Sequence, residues 1–487
     1  MKEWVKHTAV IVLLLPLLFL NIKSTHDWGD DFAQYLIEAK NIKQGFPLAQ
    51  SGFVENPNYI LGPNCYPPGF PLLIAVISSD ILPLNVLMSF FLLCIGYFSF
   101  LLFNKWFHFA PALILTLVIV YNPLCLNFKT EILSDLPFVA LILLFFVFYL
   151  SDNNKTWMLI LCGFILAYAV NVRYVGWVLF IAVISETVYK VAVKYFKHKQ
   201  HKIDWSYIKH EIWIVCAFFV FHGLFYFLFP HKVIYYDNPK VLSLFERISV
   251  NANYNYAVLK YFFSCFDEGF LNYVVSYGIV FTALIGMLIF IFKPDQLKPT
   301  ILLFFLLGYI ASILIHQYSD TGFRLLIPII TLILFFATYA LFVVLAIIPY
   351  KQWLVFCLGL LVLFCYKQNS TRILKSGNDV IPGPYSPEAK ATFDFITKNT
   401  AEKAGILFSK PRALTYFTNR KTYVNTELAT KSVIESELQK INPDYVLICT
   451  EITDDSTKVY FEHYQVPWQI VYNNDKFVLL KHGGSSN

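Results

Sequence analysis

This chain holds many long, mostly apolar stretches, a number of them about 18 residues or more, far more than one water-soluble core can use. Hydrophobic spans of 15 to 24 residues lie near 7–22, 83–103, 108–122, 136–151, 156–171, 174–189, 211–229, 273–292, 299–316, 325–348 and 352–366. Backbone groups in lipid must be satisfied within their own segment, so runs of this kind are read as helices crossing a bilayer. Charge supports the reading. Only 14% of the 487 residues are charged, against roughly 25% in a soluble protein. The segment 69–80 is apolar but short, and is expected to form a helix lying at the interface. The run after Lys6 is expected to stay as a first helix, because no small-x-small cleavage site follows it.

Lysines set an expected orientation. Lys190, Lys194, Lys197, Lys199, Lys202 and Lys209 crowd one loop, with Asp204 as the acid among them. Lys293 and Lys298, then Lys2, Lys6, Lys105, Lys155 and Lys351, fall on the same side, which is assigned to the cytoplasm. The opposite face then carries 23–68, 123–135, 172–173, 230–272, 317–324 and everything after about 367. The nine cysteines form no C-x-x-C and mostly sit in apolar runs, so they read as small fillers and not as metal ligands or a disulfide frame.

The tail has another composition. Ser386-Pro387-Glu388 opens a helical pattern, while 405–408, 445–449 and 476–480 read as short buried strands. The expected fold class is a polytopic α-helical membrane protein of about 11 transmembrane helices with a small C-terminal α/β extracytoplasmic domain. The expected division is 1–366 for the membrane domain, 367–385 for a linker and 386–487 for the α/β domain.

Chemistry concentrates on the outer face. Asp27, Asp30 and Asp31 occur within five residues, in His26-Asp27-Trp28-Gly29-Asp30-Asp31-Phe32-Ala33-Gln34-Tyr35. From Asp31 the pattern is helical, with Gly45 as its stop, so both Asp30 and Asp31 fall in the first turn. A helix cap needs one acid, and three exceed that need. Tyr66-Pro67-Pro68-Gly69-Phe70-Pro71 then forms a rigid re-entry toward the bilayer. Glu131 and Asp135, four residues apart, share a helix side, and Ser134 or Asp135 could equally cap the helix that Pro137 enters. Arg173 and Arg324 each end a span on the outer face, where the positive-inside trend makes cations less expected. They suit a phosphate, although an arginine there also snorkels to lipid headgroups. Lys232 and Arg247 are weaker candidates of the same kind, and His316, Gln317, Tyr318 and Asp320 could hydrogen-bond a sugar or form a wet loop.

In this order, Asp30-Asp31-x-x-x-Tyr35, the Tyr66–Pro71 entry, Glu131…Ser134-Asp135-x-Pro137, Arg173 with Gly176, and Arg324-x-x-x-Pro328 resemble the GT-C superfamily of membrane glycosyltransferases. The likeness spans roughly 20–350 and is nearest to the bacterial branch of protein O-mannosyltransferases and aminoarabinose transferases. The resemblance implies a polyprenyl-phosphate sugar donor, a lipid, glycan or protein acceptor on the outer face of the inner membrane, and no nucleic acid partner. Asp30, Asp31, Glu131 and Asp135 are then the expected catalytic acids, and Arg173, Arg324, Tyr35, Tyr66 and His316 the expected substrate contacts. Many relatives have Asp-Glu where this chain has Asp30-Asp31, which leaves open which carboxylate acts.

The residues fit that chemistry by themselves. A phosphate-linked sugar already carries its leaving group, so one carboxylate to take the acceptor's proton and cations to hold the departing phosphate suffice. No P-loop, Gly-rich dinucleotide turn or metal-ligand spacing stands out. A divalent cation is compatible with an Asp-rich loop, though no full ligand set is visible. The competing class is a transporter or flippase for lipid-linked or polysaccharide substrates. Against it, the charges gather at one face and no inverted repeat is apparent.

Overall fold

The computed structural model describes residues 2–54, 64–151, 155–197, 208–231, 243–263, 270–292, 300–316, 322–375, 381–426, 429–452, 456–463 and 468–483. Lys199, Lys202, Asp204, Lys232, Lys293, Lys298, Gln317, Tyr318 and Asp320 lie outside these residues. The chain begins with α1 (Glu3–Leu14), α2 (Asp30–Gln44), β1 (Phe53–Val54), α3 (Gly69–Ile77) and α4 (Ile81–Trp106). It continues through α5 (Phe109–Val120), α6 (Pro123–Phe128), α7 (Asp135–Tyr149), α8 (Thr156–Val172), α9 (Trp177–Lys197) and α10 (Lys209–Leu228). Then come α11 (Leu244–Phe262), α12 (Phe270–Phe292), α13 (Thr300–Ile315), α14 (Ile327–Val344), α15 (Lys351–Cys365) and α16 (Lys367–Lys375). The tail holds α17 (Pro387–Asn399), β2 (Gly405–Leu407), α18 (Pro411–Thr418), β3 (Lys421–Tyr423) and α19 (Lys431–Ile441). It closes with β4 (Tyr445–Cys449), α20 (Ser456–His463), β5 (Trp468–Asn473) and β6 (Phe477–His482).

Contacts divide the chain into two compact units. The first comprises 1–22, 85–228 and 242–378 and is helical. Its helices pair α8 with α10, α12 with α14, α9 with α13 and α5 with α15. A Cβ on Gly286 of α12 would lie 2.0 Å from the Phe336 carbonyl oxygen, so α12 and α14 approach backbone to backbone only because that side chain is missing.

Every one of the eleven expected windows contains a helix. Among the described residues, five helices are long and apolar enough to cross a bilayer: Ile81–Trp106, Tyr174–Tyr195, Lys209–Leu228, Tyr273–Phe292 and Ile327–Val344. The number is six if α15 and Lys367–Ile373, bent 45° apart, count as one span. Apolar helices α5, α7, α8 and α13 are shorter. The protein is a multi-pass helical membrane protein.

The second unit comprises 23–84, 229–241 and 379–487. Its centre is a six-stranded sheet in the order β1-β3-β2-β4-β6-β5. The first four strands run parallel, and β6 and β5 are antiparallel. Fully buried β2 and the near-continuous apolar run of β4 place these strands in the middle, as both faces of the sheet are covered. One face packs Phe393, Ile396, Ile406, Phe408, Leu414, Leu447, Phe477 and Leu479 into a core, the other Leu407, Val446, Ile448 and Leu480. Ser386 caps α17 by accepting from Ala389 N, as its position before Pro387 suggests.

Two pieces of the segment 23–84 join the tail in this unit. Phe53 and Val54 pair in parallel with Thr422 and Tyr423. Trp28 inserts edge-on among Phe393, Phe408 and Phe477, with ring centroids 6.4, 5.8 and 5.9 Å away. This insertion fixes the chain two residues before Asp30.

Candidate active site

Each unit carries a charged centre built from the candidate residues. In the sheet-bearing unit it is built on the first turn of α2. Gly29 is the N-cap and Asp27 Oδ1 accepts its backbone N–H at 2.8 Å, so the local turn is made by Asp27. Asp30 and Asp31 occupy helical positions beyond the cap, where the helix dipole favours negative charge. Gly45 closes the helix in the left-handed conformation at φ 71°, donating to Asn41 and Ile42 carbonyls.

Asp31 Oδ1 accepts the hydroxyl of Tyr66 at 2.5 Å and a guanidinium N–H of Arg412 at 3.3 Å. Arg412 also donates to the Tyr66 hydroxyl oxygen at 3.4 Å, and its guanidinium lies 5.6 Å from the centre of that ring. Arg412 is 1% exposed and Asp31 30%, so the cation is a buried support and the carboxylate is the accessible member. Tyr35, 2% exposed, stacks on Tyr66 at 4.6 Å and meets Phe70 edge-on at 4.8 Å. Tyr35 is therefore a brace for Tyr66 within the aromatic packing. Asp30 keeps both carboxylate oxygens out of solvent. Burial pushes its carboxyl up to about 6, seconded by the charge of Asp31 and opposed by Arg412 and Lys410.

Two turns along α2, buried Glu38 accepts the backbone N–H of Tyr66 and the amide of Gln34, each at 2.8 Å. Burial raises its carboxyl to about 8, against the pull of those hydrogen bonds. One helix thus holds Tyr66 at both its hydroxyl and its backbone. A divalent ion fits this pair poorly: Asp31 already faces a guanidinium and the oxygens of Asp30 are buried.

In the helical unit the centre is a carboxylate between two guanidiniums. Asp135 opens α7, and Ser134 before it makes no side-chain capping bond. Instead the Ser134 hydroxyl accepts from Arg173 at 3.3 Å. Asp135 Oδ1 meets Arg173 at 2.7 Å and Oδ2 meets Arg324 at 3.0 Å. Arg173 lies in extended backbone where α8 stops, and Arg324 in the 3-10 turn Gly322–Leu325 ahead of α14. Both helices break where a guanidinium must turn inward. Asp135 is 2% exposed, the arginines 19% and 23%. Asp135 is thus buried between two partly exposed guanidiniums, each held by one of its oxygens.

The other candidates stand apart in role. Glu131 is half-buried in the turn after α6, donating its N–H to the Phe128 carbonyl. His316 ends α13, its carbonyl taken by Asn251 at 2.7 Å. Arg247 donates to the Ile315 carbonyl at 3.2 Å.

No family profile and no curated protein sequence matches the chain. Solved structures do. Aminoarabinose transferase ArnT from Cupriavidus metallidurans, crystallised with undecaprenyl phosphate, superposes with a TM-score of 0.58 at 11% identity, covering 99% of this chain and 98% of that one. The Archaeoglobus fulgidus oligosaccharyltransferase with a tethered acceptor peptide gives a TM-score of 0.60 at 12% identity, over 93% and 70%. The same organism's AglB, in complex with an inhibitory peptide and a dolichol-phosphate, gives 0.54 at 14% identity over the same shares. The chain has the GT-C fold. Within that fold, Arg412 and Glu38 are the residues that sequence patterning missed. Lys410-Pro411-Arg412 after a buried strand carried a faint signal: proline at a helix start aims the next residue into the first turn.

Proposed function

We propose that this GT-C protein transfers a sugar from a polyprenyl-phosphate carrier to an acceptor at the outer face of the inner membrane. The observation that carries the reading is Asp135, whose two oxygens each hold one arginine and so present two partly exposed guanidinium forks side by side. Such a pair suits a phosphate that gains charge as it leaves. In the reaction the acceptor's O–H loses its proton to a carboxylate, its oxygen bonds to the anomeric carbon, and the bond from that carbon to the phosphate oxygen breaks. The carrier departs as a phosphate monoester, with no general acid needed. Asp31 is assigned the proton, because its carboxylate is accessible while the oxygens of Asp30 are buried. Asp135 orients Arg173 and Arg324.

The deciding experiment incubates purified protein with a panel of radiolabelled polyprenyl-phosphate pentoses and hexoses. Release of the sugar from one of them, lost in Asp31→Asn at unchanged protein level in the membrane, supports the assignment. Full turnover in Asp31→Asn refutes it. Reporter fusions at Ser24 and Ser370 should both report the non-cytoplasmic side.

A further inference from the structure

α2 and α18 share an arrangement. The first turn of each supplies the Asp31–Tyr66–Arg412 cluster, α2 with Asp30 and Asp31 and α18 with Arg412. The far ends of the same two helices line a cleft of about 660 Å3. At 1.5 Å per residue the cleft begins roughly 9 Å beyond Asp31 along α2. Both helices therefore lead from the carboxylate to the cleft.

The lining of this cleft has a consistent chemistry. Lys40 and Gln44, one turn apart on α2, face it with Phe46 from the following loop. Tyr416, Asn419 and Lys421 supply the opposite wall from α18 and β3. Phe46 is 50% exposed, an aromatic face held open at a cleft that polar groups surround. Lys40 and Lys421 are both exposed. The remaining lining arginine, Arg420, is committed elsewhere: its guanidinium donates to the carbonyls of Thr397, Thr400 and Thr418. No acidic side chain is among the described lining residues.

Aromatic faces with carboxamides suit pyranose rings, which offer an apolar C–H face and a rim of hydroxyls. Two lysines with no acid between them add a preference for negative charge. We infer that the cleft between α2 and α18 seats an anionic oligosaccharide, the acceptor of the transfer proposed above. The inference rests on that reading for the word acceptor, and on the cleft alone for the binding.

Titration calorimetry on the full-length protein in zwitterionic nanodiscs tests it, with a uronate trisaccharide, maltotriose and inorganic phosphate as probes. The uronate trisaccharide should bind about tenfold more tightly than maltotriose, and the gap should narrow at high salt. The exposed charge reversal Lys40→Glu with Lys421→Glu should erase that preference, and Tyr416→Ala should weaken both trisaccharides. Equal binding of the two sugars, an unchanged preference in the double variant, or a response to phosphate or to phosphatidylglycerol vesicles without one to sugars overturns the inference. Donor turnover by the wild-type protein is measured separately. Its absence overturns glycosyl transfer and leaves the calorimetric result to decide the cleft.

Discussion

The hydroxyl of Tyr66 donates to Asp31 Oδ1 at 2.5 Å, across thirty-five residues of sequence. The bond joins the acidic first turn of α2 to the Tyr66–Pro71 entry and leaves Asp31 with a defined orientation. In Tyr66→Phe the ring stack on Tyr35 survives and the hydroxyl alone is lost. We expect transfer to fall about 10- to 100-fold, the range for a displaced general base, with stability reduced by about 1 kcal/mol. Turnover of the active donor and thermal unfolding in detergent check both.

Arg324 and Asp135 form a charge-assisted pair with bidentate potential, and lysine cannot reproduce that fork. Arg324→Ala should lower donor turnover about 100- to 1000-fold, and Arg324→Lys should restore only part of it. Asp135→Asn leaves two guanidiniums facing each other without their carboxylate, so it should lose both turnover and about 3 kcal/mol of stability. Single-turnover sugar release, read beside the melting curve, separates the two effects.

Glu38 takes up its proton at about 8 in the folded chain, against 4.5 for the free group. Between those values the folded state holds more protons than the unfolded one, so stability falls as pH rises across that window. The slope from this residue approaches about 1.4 kcal/mol per pH unit. Glu38→Gln, which keeps an acceptor for Tyr66 N–H, should flatten the curve between pH 5 and 8 and be the more stable protein at pH 8. Melting temperatures of the two proteins across that range are the measurement.

Trp28 anchors the acidic loop by three edge-on ring contacts. Trp28→Ala should cost about 3 kcal/mol, because the core around Phe393 and Phe477 cannot close over the gap. Proteolysis of the loop ahead of Asp30 should quicken, and sugar transfer should drop with it. A Trp28→Phe variant should recover most of both.

Much of this architecture was legible in the residues. Apolar runs placed the helices, Asp31 and Gly45 bounded α2 to within one residue, and Ser386-Pro387 opened α17. Arg173, Arg324 and Asp135 were each picked out, because arginine or acid beside a span is costly unless it is used. What patterning could not reveal is which charge meets which. Asp135 looked like a possible cap, and only the side-chain geometry shows it gripping two arginines. Arg412 lay in a tail that resembled nothing catalytic, and its burial follows from a pairing with Asp31 that no local period encodes. The strands β1 and β3 are two and three residues long, too short for an alternation to register.

The parallel register of Phe53 with Thr422 has a consequence for biogenesis. The ribosome delivers Phe53 369 residues before its partner Thr422, so the acidic loop waits through the synthesis of that stretch with an unpaired edge. Arg412, which shields Asp31, arrives in the same late stretch. A chain that stalls or is clipped before residue 412 therefore exposes bare carboxylates and an open strand. Maturation of the acidic centre therefore waits on synthesis of residues 412–423, and membrane proteases have that interval in which to remove copies that never reach it.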